Sequence, residues 1–213
     1  MGRLVHVLVT CANRKTVEPA SPLTLRTVPR SLVSARCKAW IRRLKAAATA
    51  PVPAEDLYAG DHWQVVRSLR TLVQGDNLSV SVWIVSAGYG LIPLHAGIRP
   101  YSATFSTNHP DSVVLDENDD SPAEARRTWW TTLAEWDGPA PRSARTIAAL
   151  VAGQKDSALL VAASPAYLDA FADDLEAARQ ALANPERLAV FSAGLGPQCT
   201  RGGSPGSRCG RGR

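Results

Sequence analysis

The chain lacks any apolar run that approaches the roughly 18 residues needed to cross a bilayer as a helix. Its first seven residues have a strand-like pattern rather than a charged start followed by an apolar signal-peptide core. We therefore expect a cytoplasmic protein with no membrane partner.

Cysteine is sparse: the four cysteines form no CxxC pair, and their separation fits neither a small disulfide framework nor a zinc ribbon. Reduced thiols are expected. The sequence also has no HxxxH, HExxH or GxxxxGK[ST] pattern and no carboxylate cluster with metal-ligand spacing. Neither a metal site nor a cofactor is predicted.

There is little net positive charge outside the end of the chain. The net charge is +5, but the residues after Leu195 contain four arginines and no acidic residue, so the remainder carries only 5 − 4 = +1. Such a near-neutral body is weak support for nucleic-acid binding. Gly, Ser, Pro and Arg dominate residues 196–213, so a disordered tail is predicted to follow a single domain at residues 1–195.

Apolar patterning predicts an α/β fold with a mostly parallel central sheet flanked by helices. Leu4 to Thr10 is a nearly continuous, valine-rich apolar run, which favours a central strand covered on both faces. Further strands are expected at residues 78–85, 158–163 and 188–192, and helices at 31–48, 63–73, from 122 onward, 143–152 and 164–183.

Residues 93–120 show little periodicity, which predicts a long irregular insertion after the second core strand. The next helix should begin sharply, because Ser121-Pro122-x-Glu124 combines a capping serine, a proline in the first turn and a glutamate at the third position.

The first candidate site segment directly follows the first strand and contains Cys11, Asn13, Arg14 and Lys15. Arg14 and Lys15 would favour the thiolate form of Cys11, which makes Cys11 a candidate nucleophile and Lys15 its catalytic partner. Asn13 is a candidate binding residue. The competing interpretation is a small buried cysteine at the end of a strand.

The second segment contains Tyr58, Gly60, Asp61 and His62. Asp61 is expected to cap the following helix and is also the acidic candidate for catalysis, while His62 is a candidate for proton transfer or for binding an anion at the helix start. A capping aspartate next to a surface histidine would explain both residues without a function.

The third segment follows the second core strand and carries Ser86, Gly88, Tyr89 and Gly90, with Tyr101 a few residues beyond. Carboxyl ends of strands are where open α/β sheets place ligands, and tyrosines offer stacking faces and hydroxyl groups. The alternative is a strand exit held by tyrosines.

A fourth segment begins at Ser164, whose hydroxyl and neighbouring free amides are candidates for anion binding at a helix start. A plain helix cap would explain the same pattern.

Four short motifs in this order resemble the YaaA-like superfamily, and most closely a small branch found beside DNA-modification and phage-defence genes. The motifs are Thr10-Cys11-x-x-x-Lys15, Leu57-Tyr58-x-Gly60, Val85-Ser86-Ala-Gly-Tyr89-Gly90-Leu91 and Ile98-x-Pro100-Tyr101. The resemblance spans about residues 4 to 105 and implies a YaaA-like α/β fold with a site for nucleobases or DNA.

The resemblance also implies a chemistry, since DpdC-type relatives in the deazaguanine pathway convert the nitrile of a base in DNA to an amide. The matching positions in this chain are Cys11, Lys15, Tyr58, Ser86, Tyr89, Gly90 and Tyr101.

Three functional hypotheses follow. The first is an enzyme acting on a modified purine-like, deazaguanine-type base, free or in nucleic acid, with Cys11 as nucleophile. The second is a non-catalytic DNA-binding or partner-binding protein of a stress or phage-defence system, to which the Arg-rich tail would add salt-sensitive affinity. The third is cleavage or transfer at an N-glycosidic bond, for which Asp61 is the acidic candidate and has no second acid beside it.

Overall fold

The computed structural model describes residues 3–72, 78–115 and 121–192. Its strands are β1 (Arg3–Thr10), β2 (Val52–Pro53), β3 (Leu78–Ser86), β4 (Gly90–Pro93), β5 (Gly97–Ile98), β6 (Ala158–Ala162) and β7 (Leu188–Phe191). Its helices are α1 (Val33–Ala46), α2 (Ala54–Leu57), α3 (Asp61–Leu72), α4 (Pro122–Ala134), α5 (Ile147–Ala152), α6 (Pro165–Ala170) and α7 (Ala172–Ala181). Short 3₁₀ turns occupy Ser21–Leu23, Leu25–Thr27 and Pro185–Arg187.

The main sheet has five strands in the order β4-β3-β1-β6-β7, so β1 is central, as its apolar sequence predicted. β1 is parallel to both β3 and β6, β7 is parallel to β6, and β4 alone is antiparallel. The α/β class with a mostly parallel, helix-flanked sheet is confirmed. Parallel neighbours end at the same edge, and Thr10 of β1 pairs with Val85 of β3.

Two small pairings were not expected from the sequence. The chain returns after β3 as β4, because residues 87–89 form a tight turn and Gly90 adopts a φ of +74°, which a side chain would disfavour. A two-residue ladder joins β2 to β5. β2, β4 and β5 are too short for an alternation of apolar and polar residues to be recognised in the sequence.

Residues 164–183, expected as one helix, form two. The break falls at Phe171, which has non-helical backbone angles (φ −114°, ψ 23°). Its ring is buried and lies 5.6 Å from the Trp130 ring of α4, so packing between helices accompanies the interruption.

Of the two predicted helix caps at α4 and at α3, the first is confirmed and the second is wrong. At α4 the Ser121 hydroxyl accepts a hydrogen bond from the Glu124 amide at 3.2 Å, which confirms the predicted cap. At α3 the Gly60 carbonyl accepts hydrogen bonds from the amides of Trp63 and Gln64. Gly60 therefore holds the capping position and Asp61 is the first helical residue, so the predicted capping role of Asp61 is wrong.

Hydrogen bonds from the backbone and from Arg36 of α1 hold residues 102–113 against the chain before α1. The Ser102 amide donates to the Leu23 carbonyl at 2.8 Å, and the Leu25 amide donates to the Ser102 carbonyl at 2.9 Å. The buried Arg36 guanidinium donates to the carbonyls of Leu25, Ser112 and Val113. This segment thereby becomes one wall beside the end of β1.

Within the described ranges, no helix combines the length and apolar character required to traverse a membrane. The expected tail at residues 196–213 and the end of the expected insertion at 116–120 lie outside the described residues.

Candidate functional site

The site begins where β1 and β3 end together. The Cys11 amide donates to the Val85 carbonyl at 3.0 Å, which extends the pairing of these parallel strands by one residue. Cys11 and Ser86 therefore leave adjacent strands at the same edge of the sheet. The two segments chosen from the sequence lie side by side.

Cys11 is mostly buried, with 9% of its surface exposed, and its sulfur lies 3.1 Å from the hydroxyl oxygen of Tyr167. Tyr167 belongs to α6 and is itself buried, with its ring packed edge-on against Phe105 at 5.0 Å between centroids. The thiol thus has a polar partner contributed by a helix far along the chain.

A cluster of hydroxyl groups lies beside the thiol. The Tyr101 hydroxyl is 2.9 Å from that of Tyr58 and 2.7 Å from that of Ser86. The Ser86 oxygen also accepts hydrogen bonds from the amides of Gly88 and Tyr89, at 3.2 and 3.1 Å. Because these two donors occupy its lone pairs, the Ser86 hydroxyl donates to Tyr101.

Burial keeps these phenols neutral. Desolvation raises the pKa of Tyr58 and the pKa of Tyr101 well above 10, and the nearby Cys11 acts in the same direction on both. At physiological pH the cluster therefore consists of protonated hydroxyl groups, which can donate hydrogen bonds to an anion.

Lys15 is placed by backbone pairing between its own loop and the segment after α2. The Thr16 amide donates to the Leu57 carbonyl at 2.9 Å, and the Ala59 amide donates to the Arg14 carbonyl at 3.0 Å. This short pairing holds Lys15 opposite Tyr58.

The Lys15 ammonium faces the tyrosine cluster. It donates to the carbonyls of Ala12 and Asn13 at 3.1 and 3.4 Å, and it lies 4.6 Å from the Tyr101 ring centroid and 5.8 Å from that of Tyr58. Burial lowers the pKa of Lys15 below 10.5, although the nearby Cys11 opposes this shift. A lowered pKa suits an ammonium group that gives up and regains a proton.

An open cleft of about 630 Å³ borders this cluster. It is lined by Asn13, Arg14, Lys15, Glu18, Pro19, Ser21, Thr24, Arg26, Thr27, Tyr101 and Ser102. The lining carries three cationic side chains, Arg14, Lys15 and Arg26, and one carboxylate, Glu18. Arg26 is paired with Asp111, so Arg14 and Lys15 supply the positive charge available to a polar or anionic ligand. Lys15 and Tyr101 line the cleft, whereas Cys11, Tyr58 and Ser86 do not. Lys15 and Tyr101 therefore join the cleft to the buried cluster.

The far wall of the cleft is held by an ion pair. Asp111 accepts hydrogen bonds from the Arg26 backbone amide and guanidinium and from the Ser102 hydroxyl, at 2.6 to 3.0 Å. Burial pushes the pKa of Asp111 upward, but these hydrogen bonds outweigh burial and hold the pKa below 3.8. Asp111 remains ionised near neutral pH.

The turn at residues 87–89, between β3 and β4, is held by hydrogen bonds from three surrounding side chains. The Trp129 and Trp40 indoles donate to the carbonyls of Ala87 and Gly88, at 2.8 and 2.9 Å. The Arg145 guanidinium donates to the Tyr89 carbonyl at 2.6 Å. This network fixes the turn between β3 and β4.

Gly88 and Gly90 shape this turn, while Tyr89 is packed inside it. An added Cβ at Gly88 would collide with the Tyr101 ring, and one at Gly90 would lie 3.1 Å from the Arg145 guanidinium. Tyr89 is buried, and its hydroxyl accepts from the Arg99 amide at 3.0 Å. Tyr89 does not border the cleft, so its expected stacking on a ligand has no counterpart in this arrangement.

Three other candidates lie apart from the cleft. Asp61 and His62 are exposed in the first turn of α3, and neither lines the cleft. Ser164 is exposed before α6, and its side chain forms no capping hydrogen bond. Its contribution is to start the helix that carries Tyr167.

Sequence reasoning missed Tyr167, Arg26 and Asp111 as members of the site. Tyr167 belongs to the helix start selected for Ser164, but nothing in the local pattern shows that its hydroxyl meets a residue 156 positions away. Arg26 lies in the short 3₁₀ turn Leu25–Thr27 and Asp111 in an irregular segment, and neither is long enough or regular enough for periodicity to carry a signal.

Within the described ranges, no group of three or more His, Cys, Asp and Glu side chains is arranged to hold a metal ion. Comparisons with protein-family models, with curated proteins and with solved structures each found no match.

Proposed function

We propose that the protein is an enzyme acting on a modified purine-like, deazaguanine-type base, free or in nucleic acid, with the Cys11 thiolate as nucleophile. The observation that carries this proposal is the placement of the Cys11 thiol and the Lys15 ammonium at one strand end. Lys15 lines the adjoining polar cleft, whereas Cys11, 9% exposed, does not. The resemblance of four ordered motifs to proteins of deazaguanine DNA modification supports the substrate class.

A nitrile is the electrophile best suited to these groups. In the proposed reaction the thiolate forms a C–S bond with the nitrile carbon, and the nitrile nitrogen takes a proton from the Lys15 ammonium to give a thioimidate. Water then adds across the C=N bond, with its hydroxyl on carbon and its hydrogen on nitrogen. Transfer of the hydroxyl proton to the Lys15 amine forms the C=O bond and expels the thiolate, so one water is added overall.

The groups around Cys11 would stabilise the charges that arise during the proposed reaction. The Lys15 ammonium supplies a positive charge near the sulfur before attack. The neutral hydroxyls of Tyr58 and Tyr101 are preorganised beside the thiol, because Ser86 holds Tyr101 and Tyr101 holds Tyr58. The open cleft leaves room for a base attached to a sugar-phosphate chain.

The test follows the mass of the base. Wild-type protein is incubated with the free cyano-deazaguanine base and with DNA containing it, and mass spectrometry is expected to show the gain of one water in at least one substrate. Cys11→Ser should reduce the rate by about a thousandfold or more. The matched control is Cys37→Ser, which alters a buried cysteine of α1 whose sulfur contacts the Trp129 carbonyl. Equal turnover by Cys11→Ser and wild type would eliminate the thiol mechanism.

A non-catalytic nucleic-acid-binding role is the second candidate, and the excess of cations in the cleft favours it. DNA affinity is measured against salt for wild type, for Arg14→Ala and for a chain lacking residues 196–213. Binding through the cleft predicts a shallower salt dependence in Arg14→Ala. Loss of all affinity on removal of the tail would assign binding to the tail.

A further inference from the structure

We propose that Tyr167 is a positioning residue for the Cys11 nucleophile, with its hydroxyl donating a hydrogen bond to the thiolate. The inference rests on the proposed function, because it concerns the same thiol. It adds a residue that none of the four resembling motifs contains.

The geometry around the sulfur supports this role. The Cys11 sulfur and the Tyr167 hydroxyl oxygen are 3.1 Å apart, and both residues are buried. The Tyr167 amide donates to the Ser164 carbonyl at 3.0 Å, and the edge-on Phe105 ring packs against the phenol. The hydroxyl is therefore held in place by α6 and does not depend on the loop that carries Cys11.

Ionisation decides the direction of the hydrogen bond. A thiolate sulfur can only accept, so the neutral partner must donate. Desolvation raises the pKa of Tyr167 well above 10, and the phenol keeps its proton in the neutral range. A donor aimed at the charged form of a group favours that form.

The other nearby phenols make their hydrogen bonds within the hydroxyl cluster, while Tyr167 has Thr104 as a partner besides the sulfur. Tyr58 and Tyr101 bond to each other, and Tyr101 also receives the Ser86 hydroxyl. Among the described residues, Tyr167 is the one whose hydroxyl lies within hydrogen-bond distance of the sulfur. Lys15 supplies the positive charge near the thiolate, while the hydrogen bond from Tyr167 fixes the position of the sulfur.

The experiment measures the rate at which iodoacetamide alkylates Cys11 as a function of pH. Peptide mass spectrometry separates this thiol from Cys37, Cys199 and Cys209. Tyr167→Phe removes only the hydroxyl, and below the midpoint it should slow alkylation about threefold, because a roughly tenfold loss of thiolate, the equivalent of one charge-assisted hydrogen bond, is partly offset by the higher reactivity of a more basic thiolate. The pH midpoint of the rate should also move upward. The midpoint is the deciding readout, because intrinsic thiolate reactivity changes in the opposite direction.

Tyr89→Phe is the matched control. It removes another buried phenolic hydroxyl, bonded to the Arg99 amide and not to Cys11, and it should leave the midpoint unchanged. Thermal unfolding of both variants reports any general loss of packing.

A site-specific 3-fluorotyrosine at position 167 decides the matter if Tyr167→Phe does not fold. Fluorination retains the ring and makes the hydroxyl a stronger donor, so the midpoint should move downward. Alkylation of Cys11 with an unchanged midpoint would overturn the role of Tyr167 but leave the proposed function standing. A wild-type Cys11 that resists alkylation at every pH would overturn both.

Discussion

The Lys15 ammonium lies 4.6 Å from the centre of the Tyr101 ring, within the range of a cation–π interaction. The same Tyr101 hydroxyl receives a hydrogen bond from Ser86, at the end of the neighbouring strand. Lys15 and Tyr101 thus connect the loop after β1 with the buried hydroxyl cluster after β3. A substitution at Lys15 or Tyr101 should therefore affect both the loop after β1 and the hydroxyl cluster after β3.

Replacing Lys15 with methionine should separate function from stability. Lys15→Met should abolish turnover, yet leave the free energy of unfolding unchanged or raise it by up to about 1 kcal/mol, because a partly buried ammonium is replaced by an apolar chain of similar length. Chemical denaturation and the base-conversion assay measure the two effects. A loss of stability well above 1 kcal/mol would contradict the prediction.

The pH dependence of that difference has a defined sign. Burial lowers the pKa of Lys15 in the native state below the ordinary value of 10.5. Between the two pKa values the unfolded chain binds a proton that the native state has released, so wild-type stability should rise with pH relative to Lys15→Met. Denaturation curves recorded across the alkaline range would show a constant difference if the native pKa were not lowered.

Gly88→Ala should destabilise the protein by about 2 kcal/mol, because the new Cβ would lie 2.5 Å from Cδ2 of the buried Tyr101 ring. The matched control is Gly97→Ala, whose Cβ would meet Pro51 at an ordinary 3.5 Å. The control should change stability by less than about 0.5 kcal/mol. If urea denaturation gave the same loss of stability for both variants, the Tyr101 ring would be able to move away from the new Cβ at little cost.

Ser86→Ala should cost about 2 kcal/mol or more, since one hydroxyl serves the amides of Gly88 and Tyr89 and the phenol of Tyr101. Ser81→Ala is the control: its hydroxyl accepts from the half-buried Trp83 indole, which water can reach. Ser86→Ala should also reduce base conversion by loosening Tyr101. A stability loss no larger than that of the control would refute the shared role of the hydroxyl.

Asp111→Asn should destabilise the cleft wall by about 2 kcal/mol at neutral pH, because the carboxylate accepts several hydrogen bonds from Arg26 and Ser102. The native pKa of Asp111 lies below 3.8, so the unfolded chain takes up the proton first as pH falls. The difference from wild type should therefore shrink progressively below pH 3.8.

The control for this substitution is Glu176→Gln, which removes an exposed ion pair with Arg179. It should have a much smaller effect, because water screens exposed pairs. If the stability difference between Asp111→Asn and wild type did not change with pH, the negative charge of Asp111 would not be what stabilises the cleft wall.

The local and periodic features of this fold were readable from the amino-acid sequence. The valine-rich run Leu4 to Thr10 predicted a central buried strand, and Ser121 with Glu124 predicted the start of α4. A continuous apolar run and a helix cap each involve residues that are close together in the chain. Both patterns can therefore be recognised in the sequence without knowledge of tertiary contacts. The rule that parallel strands end at one edge also brought Cys11 and Ser86 together.

Tertiary packing decided the rest. Tyr167 reaches Cys11, and Tyr58 meets Tyr101, only because helices and loops distant in sequence pack over the same sheet edge. Packing equally decided that Tyr89 is buried and that Asp61 stands apart from the cleft. Local patterns specify which face of an element is apolar, whereas contacts between side chains depend on the relative placement of whole elements, which no short window of residues contains.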